Sequence, residues 1–360
     1  MSAAWLPGQA ISVIGAAHQR QGKPCQDASL CRQLTAGSET LQLLAVADGH
    51  GGSRYWLSHV GSALACAQAE QAVQQAFTQT PLRDQAAWRQ LLQGELAGRI
   101  HSAWLAAAER DWQQRPEAAE HPFSALSYGC TLGLVLLAPQ WWGCSGIGDW
   151  DLAAVAADGS VQLLSEERGE AGSEATGSLC QPLQAQPWGE RALLQPIDHN
   201  TPRALVLSTD GIRKSCATDA DYLNLCRGLI ELRGSELEAG LLQITSEGSG
   251  DDVSVAMAQP SPLDQLIDDL CKTPERIRPT LNQRRSQFAA LLQQPSLGEQ
   301  LQSQAHTDPL GALIVASAAK ASPGCPSLRL ELERQWREAR AAGMKAPAKG
   351  KMPATAPSPP

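Results

Sequence analysis

The chain has 360 residues and a formal net charge of -8, long enough for one large domain with an appendage. The charge is uneven: residues 1–258 carry 28 acidic and 16 basic side chains, whereas 259–360 carry 9 and 13. An acidic body argues against nucleic acid as a substrate and suits a site that gathers cations, while the basic tail suits acidic protein surface or no partner at all.

The ten cysteines form no Cys-x-x-Cys pair, and Cys66, Cys130, Cys144 and Cys226 sit in apolar runs, which predicts buried reduced thiols rather than disulfides or a zinc site. No charged-then-apolar leader opens the chain, and no apolar run approaches the ~20 residues that span a bilayer. The expectation is a soluble cytoplasmic protein with no membrane partner.

In chain order, residues 9–18 (QAISVIGAAH) predict a first strand, followed by a polar loop over 19–24 and a second strand from Ala28 to Leu34. The continuous apolar run 41–47 predicts a central strand buried on both faces. Residues 53–77 predict a helix with Trp56, Val60, Leu64 and Ala67 on its apolar face. A second long helix is expected over 84–112, with Trp88, Leu91, Leu92, Ile100 and Trp104 on the stripe. Strands follow at 129–137 and 141–147, where Trp141 and Trp142 suit packing better than ligand contact. Residues 152–156 then lead through the Asp158-Gly159 turn into a hairpin.

Residues 166–186 lack periodicity and predict a mobile surface loop. Strands at 192–197 and 204–207, a helical region over 219–247 and a last strand at 253–257 complete a domain that ends near Pro260 and Pro262. The expected division is a body over 1–259, a helical C-terminal extension over 260–342 and a disordered Ala/Pro/Lys tail over 343–360.

The stretch Val46-Ala47-Asp48-Gly49-His50-Gly51-Gly52 delivers a carboxylate, an imidazole and three glycines to a strand tip. Asp27, Asp149, Asp210 and Asp251 recur in similar settings, each beside a strand terminus. Hard divalent ions take oxygen ligands and keep several waters, so a few fixed carboxylates around two ions suffice. Two ions about 3.5–4 Å apart can share a carboxylate, activate a water and offset phosphoryl charge. Turn and cap aspartates are individually common; five in such contexts favour a metal centre.

The ordered series Gln26-Asp27-Ala28, Ala47-Asp48-Gly49-His50-Gly51-Gly52, Gly129-Cys130-Thr131, Gly148-Asp149, Ser208-Thr209-Asp210-Gly211 and Gly250-Asp251-Asp252-Val253-Ser254 resembles the PP2C (PPM) family of metal-dependent protein serine/threonine phosphatases. Gly15-Ala16-Ala17-His18 before Pro24-Cys25-Gln26-Asp27 is similar to its compact bacterial branch. The resemblance covers about residues 10–258. It implies an α+β fold, a four-layer αββα sandwich of two antiparallel sheets flanked by helices. It also implies two Mn²⁺ or Mg²⁺ ions and a weaker third position.

Carried over, Asp48 bridges both ions with the Gly49 carbonyl on one of them, Asp210 and Asp251 hold the first ion, and Asp27 serves the second through water. Asp149 joins Asp210 at the third position, and His50 is the general acid for the leaving serine or threonine oxygen. The implied activity is hydrolysis of phosphoserine and phosphothreonine in proteins by a metal-activated water, with no covalent phosphoenzyme.

Three departures stand out. Gln26 occupies a place where relatives often carry Glu. Gly22 stands where a phosphate-clamping Arg is usual, which leaves Arg20 and His18 as out-of-register substrate-binding candidates. Trp150-Asp151 replaces a Ser-Arg pair, which assigns Asp151 to a salt bridge or hairpin contact. The alternative function is a catalytically weak module that binds phosphoproteins or a partner kinase; the apolar stripes of the C-terminal helices are expected to pack on the phosphatase body, with a surface for a cognate serine/threonine kinase as the alternative.

Overall fold

A computed structural model describes residues 5, 7–37, 39–156, 159–166, 177–183, 188–197, 201–202 and 204–259. All belong to one compact unit, Ala3–Ser261. The expected C-terminal helices and tail, and most of the expected loop at 166–186, lie outside the described residues.

Among the described residues two five-stranded sheets form the body, and every strand pairing is antiparallel. One sheet contains β2 (Ala28–Ala36), β3 (Glu39–Ala47), β4 (Leu132–Leu137), β5 (Trp141–Ile147) and β8 (Leu193–Pro196), in that order. The other runs β1 (Gln9–Val13), β10 (Val253–Ala258), β9 (Ala204–Ser208), β6 (Asp151–Val155) and β7 (Val161–Ser165).

The period of two along each strand sorts side chains into three cores. On β3, Leu41, Leu43, Ala45 and Ala47 face α2 (Ser58–Gln79) and α4 (Leu96–Gln113), while Leu44 and Val46 face the second sheet. On β9, Leu205 and Leu207 fill the space between sheets, and Ala204 and Val206 face α6 (Asp219–Leu229) and α7 (Gly234–Glu247). Trp141 and Trp142 at the start of β5 divide between the helix-side and inter-sheet cores. The result is the expected four-layer αββα sandwich, with each fully buried Leu contributing roughly 1.5–3 kcal/mol.

Three local expectations are corrected. The first strand stops at Val13, and Ala16–Gln21 form a helix, α1, so the loop expected over 19–24 begins as helix. Gly15 precedes it because its backbone lies against Gly250–Asp251, where an added Cβ would meet the Gly250 carbonyl at 2.4 Å.

Of the face expected for α2, Val60 and Leu64 are half-buried and pack against the helix-side core, whereas Trp56 (43% exposed) and Ala67 face outward. The fully buried face is the small-residue stripe Gly61, Ser62, Ala65, Cys66, Ala69, Ala72 and Val73. Close approach selects that face: a Cβ on Gly61 would stand 1.8 Å from the Tyr128 carbonyl oxygen, and Trp104 Nε1 donates to the Gly61 carbonyl at 2.9 Å.

The helix expected over 84–112 starts with Asp84, whose side chain accepts from the Ala87 N–H, but Leu91–Glu95 widen into π-helix between α3 (Gln85–Gln90) and α4. Ser145 Oγ donates to the Leu92 carbonyl at 2.6 Å, giving that carbonyl a partner beyond the helix ladder. Trp88, Leu91, Leu92, Ile100 and Trp104 are all buried, as their spacing predicts.

Candidate metal centre

Register brings the aspartates together. Ala28 opposes Ala47, Leu132 opposes Ile147, Asp151 opposes Ser208 and Val13 opposes Val253, so the residues just beyond these pairs emerge at one end of the sandwich. Asp27 precedes β2, Asp48 follows β3, Asp149 follows β5, Asp210 opens the short helix α5 (Asp210–Lys214) after β9, and Asp251 precedes β10.

Asp48, Asp149 and Asp210 each offer a carboxylate oxygen, and these oxygens lie within 4.8 Å of one another. Asp27 is 7% exposed; Thr209 Oγ1 donates to its Oδ2 at 2.8 Å, and its Oδ1 has no hydrogen-bond partner. Asp210 Oδ1 is likewise buried and unpartnered. Lys214 Nζ reaches Asp210 Oδ2 at 2.8 Å and Asp251 Oδ2 at 3.3 Å, which ties the fifth aspartate to the group. Gly49 is held by a bond from its N–H to the Gln26 carbonyl, where an added Cβ would lie 2.5 Å from that oxygen. His50 follows, its N–H bonded to the Gly129 carbonyl at 3.0 Å and its ring edge-on to Tyr55 at 5.0 Å.

The electrostatics are those of crowded acids. Burial, then Asp27, Asp210, Asp149 and Asp251, push the Asp48 carboxyl well above the usual carboxylate range. Burial raises Asp27 to about 8 against the lowering effect of Thr209. Burial and then Asp149 raise Asp210 to about 7, with Lys214 opposing them. His50 is lowered by burial, while Asp149 pulls it back upward and Arg54 adds to the lowering.

The two substrate-binding candidates part company. His18 Nδ1 lies 3.0 Å from Asp252 Oδ2 inside the fold, so this nitrogen is committed to a structural contact. Asp252, 3% exposed, also accepts from the Gly15 and Gln26 N–H groups at 2.5 and 2.6 Å, fastening α1 and the Asp27 approach to β10. Arg20 is exposed on α1, with a terminal nitrogen 3.9 Å from where a Cβ of Gly250 would stand, at the rim beside Asp251. The Gln26 amide nitrogen donates to Ser58 Oγ at 2.6 Å, and its carbonyl accepts from Ser62 Oγ at 2.5 Å, so Gln26 braces the start of α2. Asp151 makes the anticipated salt bridge, to Arg213 at 3.2 Å; Arg213 also binds Glu166 and Asp219.

Sequence reasoning missed Arg191. Its guanidinium stacks 3.7 Å over the Trp150 ring and donates to the Gly148 carbonyl at 2.5 Å, to the Trp150 carbonyl and to Ser165 Oγ at 2.8 Å. It brackets Asp149 from both sides. Gly148 itself has φ +89, a left-handed conformation that favours glycine, and packs against the Thr131 side chain. Thr131 Oγ1 in turn accepts from the Asp48 N–H at 3.0 Å. No sequence signal announces Arg191, which lies 42 positions from Asp149; Lys214 was legible in principle, four residues after Asp210 at helical spacing.

This donor set fits divalent cations. It offers hard oxygens only, two of them buried and unpartnered, and carboxylates whose mutual repulsion cations would relieve. A two-sheet sandwich with an acidic cluster at one end defines a metal-dependent class. A protein phosphatase 2C family model matches residues 14–241, and the chain belongs to that family.

Among solved structures, serine/threonine phosphatase Stp1 from Staphylococcus aureus is 15% identical with a TM-score of 0.45, over 71% of this chain and 94% of its own. The catalytic domain of the serine threonine protein phosphatase PstP, solved with two manganese ions, is 19% identical with a TM-score of 0.44, over 71% and 98%. PppA, a key regulatory component of T6SS in Pseudomonas aeruginosa, is 16% identical with a TM-score of 0.44, over 70% and 96%. No curated protein matches the chain. Among the described residues no helix is long and apolar enough to cross a membrane, and the eight described cysteines are all free.

Proposed function

We propose that this chain hydrolyses phosphoserine and phosphothreonine esters in proteins, using two divalent ions held by Asp48, Asp210, Asp251 and Asp27, with Asp149 and Asp210 at a third, weaker position. The observation that carries the reading is the convergence of Asp48, Asp149 and Asp210 oxygens within 4.8 Å, in a chain of the protein phosphatase 2C family. Bound there, Mn²⁺ or Mg²⁺ would activate a water and offset the negative charge of the phosphoryl oxygens.

The chain's own residues supply the rest. Gly49, whose carbonyl is the backbone ligand in this reading, is pinned through its N–H to the Gln26 carbonyl and packs too closely on the Gln26 and Ser58 backbone to admit a side chain. His50 is the proton donor to the leaving serine or threonine oxygen, a poor leaving group as an alkoxide. Burial lowers its pKa and Asp149 opposes that lowering, while the His50 N–H bond to the Gly129 carbonyl and the Tyr55 ring hold the imidazole in place. Arg20, at the rim beside Asp251, is the substrate-phosphate contact in this reading, and His18 is a scaffold residue.

Phosphate release from a phosphoserine peptide by the EDTA-treated full chain, with Mn²⁺ or Mg²⁺ added back, tests the proposal. Activity restored by the ion, and reduced at least about 100-fold in folded Asp48→Asn and Asp251→Asn, is expected from the loss of transition-state charge stabilisation. Stoichiometric phosphopeptide binding without phosphate release under either ion would instead favour a phosphoprotein-binding module. Retained turnover in either variant would contradict the site assignment.

A further inference from the structure

We propose that Lys214 is the built-in counter-ion of the Asp210–Asp251 pair, that an incoming divalent ion has to displace it, and that this competition sets the chain's metal affinity. The inference rests on the reading that these carboxylates hold ions, and its test separates the two.

Lys214 is the last residue of α5 and Asp210 the first, so one helical turn carries the ammonium back over its own N-terminal carboxylate. The contact to Asp210 Oδ2 is 2.8 Å and that to Asp251 Oδ2 is 3.3 Å, so one positive charge joins acids 41 positions apart. Ser249 Oγ accepts from the Asp251 N–H at 3.2 Å and exchanges a hydrogen bond of 2.9 Å with Ser215 Oγ, fixing the Asp251 loop to the end of α5. The ammonium therefore bridges two elements that are already locked together.

Lys214 offsets the repulsion between the acids at this edge, in direct contact with Asp210 and Asp251, and the Asp48 charge acts on it as well. A divalent ion drawn to Asp210 and Asp251 meets that same charge. The Lys214 side chain is 52% exposed on a flexible four-carbon stem, so it can move into water when an ion takes its partners. Linkage makes the effect mutual: the factor by which the ion weakens the ammonium–carboxylate contact is the factor by which Lys214 weakens ion binding. The device offsets the repulsion between Asp210 and Asp251 and raises the ion concentration needed for binding.

The test titrates Mn²⁺ into EDTA-stripped full chain, by calorimetry and by the electron paramagnetic resonance of free Mn²⁺, in wild type, Lys214→Gln, Lys214→Arg and the exposed control Arg89→Gln. Lys214→Gln should bind the tightened ion about fivefold or more strongly, within the usual range for a coupling between two ligands. Lys214→Arg and Arg89→Gln should stay near wild type. Stripped Lys214→Gln should also melt at a lower temperature than stripped wild type, and gain more from added Mn²⁺.

A measurement on the unaltered chain guards against a variant that fails to fold: Mn²⁺ should increase acylation of Lys214 by acetic anhydride, read by peptide mass spectrometry. Folded Lys214→Gln with unchanged or weaker Mn²⁺ affinity, or Lys214 protected equally with and without Mn²⁺, would overturn the counter-ion role and leave the metal reading standing. A wild type that takes up no Mn²⁺ would overturn both.

Discussion

Thr209 and Asp27 are 182 positions apart, yet the Thr209 hydroxyl donates to Asp27 Oδ2 at 2.8 Å while receiving the Ser254 N–H at 3.0 Å. That single hydroxyl joins β9, β10 and the approach to β2, one layer beneath the acidic cluster. It also leaves Asp27 Oδ1 as the oxygen free to face a cation. Thr209→Val preserves shape and removes the donor. The expected loss is about 1–3 kcal/mol of stability in urea melts, because a buried carboxylate oxygen and a backbone N–H both lose their partner. Mn²⁺ affinity should fall with it; an unchanged melt and unchanged affinity would remove Thr209 from the centre's support.

Arg191 is expected to act on metal binding without touching a metal. Arg191→Ala removes the bonds to Gly148, Trp150 and Ser165 that bracket Asp149. Mn²⁺ affinity should drop about tenfold, the lower end of what lost support around a ligand costs. Lys cannot reproduce a stacked, multiply donating guanidinium, so Arg191→Lys should recover little. Calorimetric titration of both variants, with circular dichroism to verify folding, checks this.

The Asp111 carboxylate accepts from Arg115 at 2.6 Å and from Tyr128 at 2.5 Å, and Tyr128 leads directly into Gly129, the partner of the His50 N–H. Burial would raise the Asp111 pKa, but the Arg115 and Tyr128 hydrogen bonds outweigh it and hold it below its ordinary value of 3.8. A lowered folded-state pKa contributes stability that is present above the unfolded value and lost as pH falls through the folded one. Asp111→Asn should therefore cost about 1 kcal/mol near neutral pH, a gap that closes below about pH 4. Urea melts of both proteins from pH 7 to pH 3 measure it.

Gly61→Ala is expected to be among the most damaging single changes in α2. The new Cβ would stand 1.8 Å from the Tyr128 carbonyl oxygen and 2.7 Å from its carbon, both backbone atoms that cannot yield independently. Separating α2 from that segment should cost about 3 kcal/mol. Ala63→Gly at an exposed position of the same helix should cost only about 1 kcal/mol. Comparable losses for the two would argue against close helix approach as the determinant.

Much of the centre was legible because its chemistry sits at strand ends. Asp27, Asp48, Asp149, Asp210 and Asp251 each adjoin an apolar run, and antiparallel pairing then has little choice but to gather them at one end. The strands themselves read well, since continuous runs such as 41–47 are buried on both faces. The buried face of α2 was legible only in part: Val60 and Leu64 do pack on the core, but bulk is a poor guide where Gly61, Ala65 and Ala69 admit close packing and Trp56 stays at the surface. α1 was hidden in an apparently continuous strand pattern, since Gly15 and Gly22, which bound it, are also ordinary loop residues. Arg191 and Asp252 depend on partners far away in sequence and on geometry that only the assembled sheets create.

The most direct measurement is an anomalous difference map, recorded at the manganese absorption edge from crystals of the full chain grown with Mn²⁺. Two peaks are expected at the acidic end of the sandwich, both within ligand distance of Asp48 and one also beside Asp210 and Asp251, with Lys214 withdrawn from that pair. Crystals that hold no anomalous scatterer there, with Lys214 still bridging Asp210 and Asp251, would contradict the assignment of this cluster as a divalent-metal centre.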